Sequence, residues 1–331
     1  MAQITLFTRP AAGLRCGCCV VSAAATLLLA SCGEPAGRSD PSAGAQNGQA
    51  EATAAAASTA DMHRFDAGGV DATVVRDGRQ SMANDGAMLG SGQTPAALAA
   101  VMRDAGLPED RLELDFNALL LRIGDRVVLV DTGFGGGAPF AGRLVRNLAA
   151  AGVRPEQVTD VVITHAHPDH IGGVVDGDGR LTYPNAQVHM SDAEWRYLGT
   201  LAEGNSVEAR AAIEPKLVRA AFDRPIAPGV LPVAAPGHTP GQMALRIGEG
   251  PTAVLFISDA AHHYAMSLAR PDWPAGSDAD GAAAVRTRRM LFERAVAENT
   301  RVHGYHFPFP GLGRVSAAAD GTFRWTAEPT R

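Results

Sequence analysis

The sequence has little cysteine, and the cysteine that it has is confined to one end. The four cysteines are Cys16, Cys18, Cys19 and Cys32, and none follows position 32. A body without cysteine excludes a disulfide framework, a Cys₂His₂-type zinc site and a cysteine nucleophile from that part of the chain. Any metal site or nucleophile there has to be built from other groups.

Charge is also scarce, and there is no excess of basic residues. Charged side chains make up 19% of the 331 residues, and the formal net charge is −6. A protein that binds nucleic acid normally presents a basic surface, so nucleic acid is not expected as a partner. Hydrophobic residues make up 46% of the chain, which suffices for one large or two ordinary domains with a buried core.

Residues 1–32 have the features of an export signal. Arg9 and Arg15 precede an apolar run over residues 20–30, which is too short for a transmembrane helix of about 20 residues. The run leads into Leu-Ala-Ser-Cys, which resembles the lipid-attachment motif of bacterial lipoproteins. We therefore expect an exported protein, periplasmic or anchored to a membrane by a lipid on Cys32. An ordinary signal peptide with a chance cysteine is the alternative.

Residues 33–60 are almost all small or polar, with no large apolar side chain to bury. This composition predicts a flexible tether between the export signal and the rest of the protein. Residues 61–331 are then expected to form the folded domain.

The body of the chain mixes strand patterns with helix patterns, which favours α+β layers over a simple βαβ alternation. Gly124 and Asp125 separate two apolar runs and predict a hairpin. Strands are predicted at 70–76 (as an edge strand), 118–123, 126–131, 159–164, 186–190, 230–234, 243–247, 253–258, 301–305 and 322–326. Helices are predicted at 140–151, 191–198, 207–222 and 281–299, the last with Arg286, Arg288 and Arg289 on its exposed side.

Nine of the ten histidines lie beyond residue 164, and the densest cluster reads His-Ala-His-Pro-Asp-His. His165 and His167 are two residues apart, so in an extended chain both side chains point to one face. Asp169 and His170 follow at the start of a predicted helix that leads into two glycines. Imidazole and carboxylate groups suit zinc, iron, manganese or cobalt, so this spacing predicts a metal site.

Two further segments contribute candidate ligands. His238 lies in the loop Pro-Gly-His-Thr-Pro-Gly after a predicted strand, and the glycines let the backbone approach a site closely. Asp259 ends an apolar strand, where an aspartate is well placed to bridge two ions. Neither segment would predict a metal site by itself. The presence of the His-Ala-His-Pro-Asp-His cluster in the same chain strengthens the prediction for both.

Four features of the sequence, taken together, resemble the metallo-β-lactamase fold superfamily over residues 64–331. In chain order they are His-x-His-x-Asp-His, Gly-His-Thr-Pro-Gly, a strand ending in Asp and a C-terminal His. Val-Asp-Thr-Gly at residues 130–133 fits the same pattern. The resemblance implies a four-layer αββα sandwich with metals at one edge between the sheets. The first cluster and His306, followed by Phe-Pro-Phe-Pro-Gly, are similar to the methyl parathion hydrolase and lactonase branch.

The resemblance implies a set of seven metal ligands and one supporting residue. His165, His167 and His238 would hold one ion, Asp169, His170 and His306 would hold the other, and Asp259 would bridge them. Asp131 would orient ligands by hydrogen bonding, with a simple strand-end turn as the alternative. His303 competes with His306 for its place. Gln242 stands where many relatives have a second histidine.

The implied cofactor is a pair of divalent ions, zinc foremost, with manganese, iron and cobalt left open. A hydroxide that bridges the ions would attack an ester-like bond, and Asp169 would also accept a proton. The small-molecule substrate would be a lactone, an aryl ester or an organophosphate triester. Trp273, Phe307 and Phe309 line the pocket mouth or belong to the core, and His262 and His263 line the pocket or face solvent.

Two other functions remain open from the sequence. A periplasmic β-lactamase would use the same chemistry, and the Pro-Phe-Pro-Gly match counts against it. A non-catalytic metal-binding protein on the same fold would belong to a different class, and the complete set of ligands counts against that. Relatives in this branch are often dimers, so a homodimer is the expected assembly.

Overall fold

The computed structural model describes residues 60–136, 138–202, 206–222 and 224–329. The export signal over residues 1–32, the lipid attachment at Cys32 and nearly all of the predicted tether lie outside the described residues and stay predictions. Within the described part of the chain, no helix combines the length and the apolar composition needed to cross a membrane.

The fold contains two mixed sheets. The first has seven strands in the order β1 to β7, antiparallel from β1 to β4 and parallel from β4 to β7. The second has six strands in the order β13-β12-β11-β10-β9-β8. The strands are β1 Met62–Asp66, β2 Asp71–Ala83, β3 Arg111–Ile123, β4 Arg126–Val130, β5 Asp160–Val162, β6 Gln187–Ser191, β7 Leu217–Ala220, β8 Val230–Ala234, β9 Met243–Ile247, β10 Val254–Phe256, β11 Arg301–His303, β12 Leu312–Ala317 and β13 Phe323–Ala327.

Seven α-helices are described, and polar side chains cap several of their first turns. Thr94, Ser191 and Asp280 each accept a hydrogen bond from a backbone N–H of the helix that follows. The helices are α1 Pro95–Asp104, α2 Leu144–Ala150, α3 Pro168–Ile171, α4 Asp192–Leu198, α5 Ser206–Ile213, α6 Met266–Ala269 and α7 Gly281–Ala297.

The main core lies where the two sheets face each other. It joins Leu120 and Val161 of the first sheet to Leu245 and Phe256 of the second, all fully buried. A second cluster packs helix α7 through Leu291 against the other face of the second sheet. These layers form an αββα sandwich, which confirms the predicted four-layer architecture.

The predicted hairpin is confirmed, while the predicted edge strand is wrong. Gly124 has a φ of +61° at the turn between β3 and β4, a conformation that glycine adopts without strain. Strand β2 pairs on both sides, with β1 and with β3. The short strand β1 went unrecognised in the sequence, and it is β1 that covers the edge.

The helix predicted over residues 207–222 is also wrong in its second half. Helix α5 ends at Ile213, a 3-10 turn spans Glu214–Lys216, and the chain continues as strand β7. Pro215 cannot donate a backbone hydrogen bond, so it ends the helix there. The apolar residues after it pair with β6.

The helix predicted over residues 140–151 begins later, at Leu144, because a turn at residues 139–140 and irregular chain over residues 141–143 precede it. The helix predicted over 281–299 is confirmed as α7, but one of its three arginines is not exposed. Arg288 is 1% exposed, and its side chain donates to backbone carbonyls.

The C-terminal region holds one more strand than expected. The strand predicted over residues 301–305 ends at His303, and the chain turns before it reaches His306. Strand β12 was not predicted, and it joins β11 to β13 within the second sheet.

Candidate metal centre

The candidate ligands converge because each follows the carboxyl end of a strand at one edge of the sandwich. Asp131 follows β4, the segment from His165 to His170 follows β5, and His238 follows β8. Asp259 follows β10 and His306 follows β11. Loops at the carboxyl ends of neighbouring strands meet at one edge of a sheet, so residues far apart in sequence come together.

The structure brings together all seven residues that the sequence proposed as ligands. One cluster contains His165, His167 and His238, and a second contains Asp169, His170, Asp259 and His306, each with its donor atoms within 4.8 Å of one another. Asp259 connects the clusters, since Oδ1 lies 3.1 Å from His170 Nε2 and Oδ2 lies 3.5 Å from His238 Nε2. This is the arrangement expected of a bridging carboxylate.

Hydrogen bonds on the outer side of the centre fix which ring nitrogen faces inward. The Nδ1 atoms of His170, His238 and His306 lie 2.8 to 3.1 Å from acceptors, which are Asp131 Oδ2, Asp278 Oδ1 and the carbonyl of Asp115. With the proton on Nδ1, the lone pair of Nε2 points into the centre. Such outer partners hold histidine ligands in the orientation that a metal requires.

The centre is suited to positive ions because ring nitrogens of its histidines face carboxylate oxygens at short distances. His306 Nε2 lies 3.1 Å from Asp259 Oδ2 and 3.3 Å from Asp169 Oδ2. Three buried atoms, His165 Nε2, His170 Nε2 and Asp259 Oδ1, lack a hydrogen-bond partner among the described residues. Lone pairs this close repel unless a cation lies among them, and nitrogen and oxygen donors suit zinc.

The pKa values of His306 and His170 reflect the nearby carboxylates. Burial alone would lower the pKa of His306, but Asp259 and Asp169 raise it to about 9. Burial is likewise outweighed at His170, where Asp259, Asp169 and Asp131 raise the pKa well above its usual value. A bound metal ion takes the place of such a proton, because the carboxylates stabilise any positive charge on these nitrogens.

Asp131 is fully buried and has a φ of +61°, which is uncommon for a residue with a side chain. This backbone turns its carboxylate toward Thr164, which donates from its backbone N–H and its hydroxyl at 2.8 and 2.9 Å. The same carboxylate accepts from His170 Nδ1. Asp131 therefore lies where it can orient the loop after β5, as the sequence suggested.

Two supporting acids were not singled out from the sequence. Glu194 is buried in helix α4 and accepts hydrogen bonds from Ala166 N, Thr239 Oγ1 and Gly241 N at 2.7 to 3.0 Å. It thereby ties the loop of His165 and His167 to the loop of His238. Asp278 holds His238 from the other side. No local sequence signal marks either acid, because both act only across the fold.

A cavity of about 250 Å³ opens beside the centre. His167, Asp169, His238, Asp259 and His306 form its floor. The remaining walls are mostly apolar, and they are formed by Gln80, Met82, Met88, Leu114, Phe116, Phe134, Pro168, His262 and Ser277. The methionine and phenylalanine residues of this wall were not predicted as pocket residues, because the strands and loops that carry them come close to the centre only in the tertiary fold.

Of the five suggested pocket residues, only His262 lines this cavity. His263 lies in a separate groove, where its Nδ1 accepts from two backbone N–H groups. Phe307 is buried against Trp325, and Phe309 packs on the main core. Trp273 packs against the cluster around helix α1. The aromatic residues therefore take the core alternative.

His262 is close enough to count as an eighth member of the centre. Its Nε2 lies 3.3 Å from Asp259 Oδ2, and it groups with His238 and Asp259 as a further possible donor set. His303, the competitor of His306, lies elsewhere, stacked face to face on Phe256 with ring centroids 5.1 Å apart.

A family model of the metallo-beta-lactamase superfamily matches residues 114–288, just over half of the chain. This chain belongs to that superfamily. The match begins within strand β3 and ends in helix α7, so it includes every candidate ligand except His306.

Two curated relatives and several solved structures resemble this superfamily member. Probable metallo-hydrolases of Mycobacterium tuberculosis and Mycobacterium bovis are each 31% identical over 182 residues, which cover 44% of this chain and 57% of each relative. The match thus spans little more than half the length of these relatives.

Two structures extend the similarity over most of the chain. The dizinc quorum-quenching lactonase AidC, solved with the product N-hexanoyl-L-homoserine, has a TM-score of 0.77 and 26% identity, covering 82% of this chain and 98% of its own. The hydrolase AbOPH has a TM-score of 0.73 with the same identity and coverage. Both similarities therefore extend over nearly the whole length of the solved structures.

Proposed function

We propose that this chain is a metal-dependent hydrolase that opens the ring of N-acyl lactones with two zinc ions. The observation that carries the proposal is the combination of seven convergent ligands with an apolar cavity directly above them. The similarity to a dizinc lactonase over 98% of that enzyme supports the same reading.

The proposed ligands divide as the two clusters do. His165, His167 and His238 would hold one ion, His170, His306 and Asp169 would hold the other, and Asp259 lies near both clusters. When bound, such a pair of ions supplies an activated water at neutral pH and polarises the carbonyl under attack. Asp131, Asp278 and the carbonyl of Asp115 keep three of the imidazoles in the orientation that this requires.

Asp169 is the more exposed of the two carboxylates that line the pocket. Its side chain is 17% exposed, whereas that of Asp259 is 3% exposed. Asp169 therefore lies where it can accept a proton from the attacking water and pass it to the alkoxide that leaves when the ring opens. Tyr305 stabilises its position, because the phenol donates to the backbone carbonyl of Asp169 at 2.6 Å.

The pocket wall favours a substrate with an apolar tail. Met82, Met88 and Leu114 contribute flexible or aliphatic side chains to the lining of the cavity. A second opening lined by Met82, Met88 and Ala87 continues this surface outward. An acyl chain placed there would leave its polar head over the centre and exclude water from it.

The place of action that we propose is outside the cytoplasm. The export signal predicted over residues 1–32 and the lipid attachment predicted at Cys32 favour this place, and a homodimer is the proposed assembly. A small lactone with an acyl chain would reach a protein in that compartment by diffusion.

The test compares substrates on one zinc-loaded preparation. N-acyl lactones with four to twelve acyl carbons, a p-nitrophenyl ester, a phosphotriester and a cephalosporin are assayed in parallel, with lactone opening followed by proton release. Lactones should give the highest kcat/KM, and the value should rise with acyl length. A cephalosporin or phosphotriester turned over faster than every lactone would overturn the proposed substrate.

A matched pair of variants tests whether the measured turnover comes from this centre or from a contaminating enzyme. Asp259→Asn removes the bridging carboxylate and should lower kcat by about 100-fold or more, as loss of a metal ligand does. Asp125→Asn makes the same substitution in the exposed β3–β4 turn and should leave kcat unchanged. Equal activity in the two variants would show that the turnover does not come from this centre.

A further inference from the structure

Arg288 is a buried cation whose partners are backbone carbonyls. Its Nε donates to the carbonyl of Ala260 at 2.7 Å, and its Nη1 donates to those of Pro271 and Trp273 at 3.1 and 2.6 Å. Its Nη2 lies 4.0 Å from Asp278 Oδ2. Burying a charge costs free energy unless hydrogen bonds satisfy it, and these carbonyls satisfy the guanidinium of Arg288 in the interior.

The first carbonyl belongs to the turn that carries the bridging ligand. Ala260 directly follows Asp259, and the turn begins at Ser258, which has a φ of +46°. A residue with a side chain rarely adopts that conformation, so the turn requires support from its surroundings. The bond from Arg288 Nε supplies support one residue beyond the ligand.

The other two carbonyls begin the segment that supports His238 and the pocket wall. Asp278 lies five residues after Trp273, and its Oδ1 is 2.9 Å from His238 Nδ1. Between them, Gly276 donates its backbone N–H to the carbonyl of Met88 at 2.9 Å, and Ser277 lines the cavity. This segment therefore touches the metal centre and the pocket at once.

The neighbouring residue on the same helix reaches the other side of the centre. Thr287 donates its hydroxyl to the carbonyl of Pro236 at 2.6 Å, at the start of the loop that carries His238. Two consecutive residues of α7 thus hold the loops on which His238, Asp259 and Asp278 stand.

We propose that Arg288 is a positioning residue that holds the bridging aspartate turn and the Asp278–His238 pair in register for metal binding. This rests on the proposed metal centre and does not depend on the identity of the substrate. The guanidinium is suited to the task because its planar fork can bond several carbonyls at once. A lysine ammonium in this place would leave at least part of that set without a donor.

The test measures zinc affinity by competition with a chromophoric chelator in the full-length protein. Arg288→Met and Arg288→Lys should each weaken the more weakly held ion by about 10- to 100-fold, the loss typical when an outer partner of a ligand is removed. Arg286→Met makes the same change at an exposed position two residues away and should bind zinc like the wild type. Added methylguanidinium should recover part of the affinity of Arg288→Met only.

A zinc affinity of Arg288→Lys within twofold of the wild type would overturn the proposal, whatever Arg288→Met does. If neither Arg288 variant folds, Asp278→Asn decides, because it changes the link to His238 while Arg288 itself stays in place. It should weaken zinc binding, and unchanged binding would likewise overturn the proposal. Failure of every lactone as a substrate would leave these zinc measurements standing, so the two proposals fail separately.

Discussion

His303 and His306 are separated by two residues and have different surroundings. His306 bonds the carbonyl of Asp115 through Nδ1 and turns Nε2 toward Asp169 and Asp259. His303 lies in strand β11 and stacks on Phe256 in the core. The difference arises because the strand ends at His303, so only His306 reaches the edge where the ligands meet.

These surroundings predict opposite effects of two substitutions on metal content. His306→Ala should reduce bound zinc from about two ions per chain to about one, because the second cluster loses a ligand. His303→Leu should retain both ions. Elemental analysis after dialysis against zinc-buffered solution measures the difference, and the reverse pattern would assign the ligand to His303.

At the scale of elements, a bulge in strand β2 shapes one wall of the pocket. The pairing of β2 with β3 shifts register between Arg76 and Gly78, which leaves Asp77 out of the ladder. Its buried carboxylate accepts from the backbone N–H groups of Phe134, Gly142 and Leu144 at 2.8 to 3.1 Å. The bulge thereby ties the loop after β4, including Phe134 of the pocket wall, to the sheet.

Replacing this carboxylate should loosen that loop. Asp77→Asn leaves one oxygen for three N–H donors, and an unsatisfied buried donor costs about 1–3 kcal/mol. We expect the free energy of unfolding to fall by about that amount and the amides of Phe134, Gly142 and Leu144 to exchange faster with solvent.

The control is Asp71→Asn, which makes the same change at the exposed first residue of β2. Denaturant unfolding and hydrogen exchange should show no comparable effect there. Equal exchange rates at Phe134 and Leu144 in the wild type and Asp77→Asn would contradict the role given to the bulge.

At the scale of the whole molecule, stability should depend on acid through the buried histidines outside the centre. Burial lowers the pKa of His303 to about 3 and that of His263 to about 4. The unfolded chain binds a proton on each imidazole near pH 6.5. The contribution of each neutral imidazole to stability is therefore complete above pH 6.5 and declines as the pH falls toward the folded value.

His303 provides a clean measure of this dependence. Between pH 6.5 and its folded pKa, it should remove up to about 1.4 kcal/mol of stability per pH unit. His303→Leu has no such proton to bind, so its free energy of unfolding should fall less steeply with acid. The difference between the two slopes in denaturant titrations isolates this term, because zinc release affects both proteins alike. Parallel slopes would show that His303 does not titrate in this way.

Local patterns in the chain predicted much of the fold and the centre. The hairpin at Gly124 follows from a glycine turn between two apolar runs, and helix α4 follows from the cap at Ser191. The ligand segment from His165 to His170 was recognisable because its donors are adjacent in sequence. Elements that depend on distant partners were missed, such as β7 after Pro215 and the short strand β1.

The sequence by itself determined the superfamily pattern and the chemical types of the ligands, because short motifs carry both. Only the tertiary structure decided which partners hold those ligands and which side chains surround them. Glu194, Asp278 and Arg288 act across long separations in the chain, through hydrogen bonds that exist only once the sheets have packed. The cysteine-free body is consistent with that design, since every proposed ligand is an imidazole or a carboxylate. The ligands converge because, in a sandwich of two packed sheets, the strand ends that carry them meet at one edge.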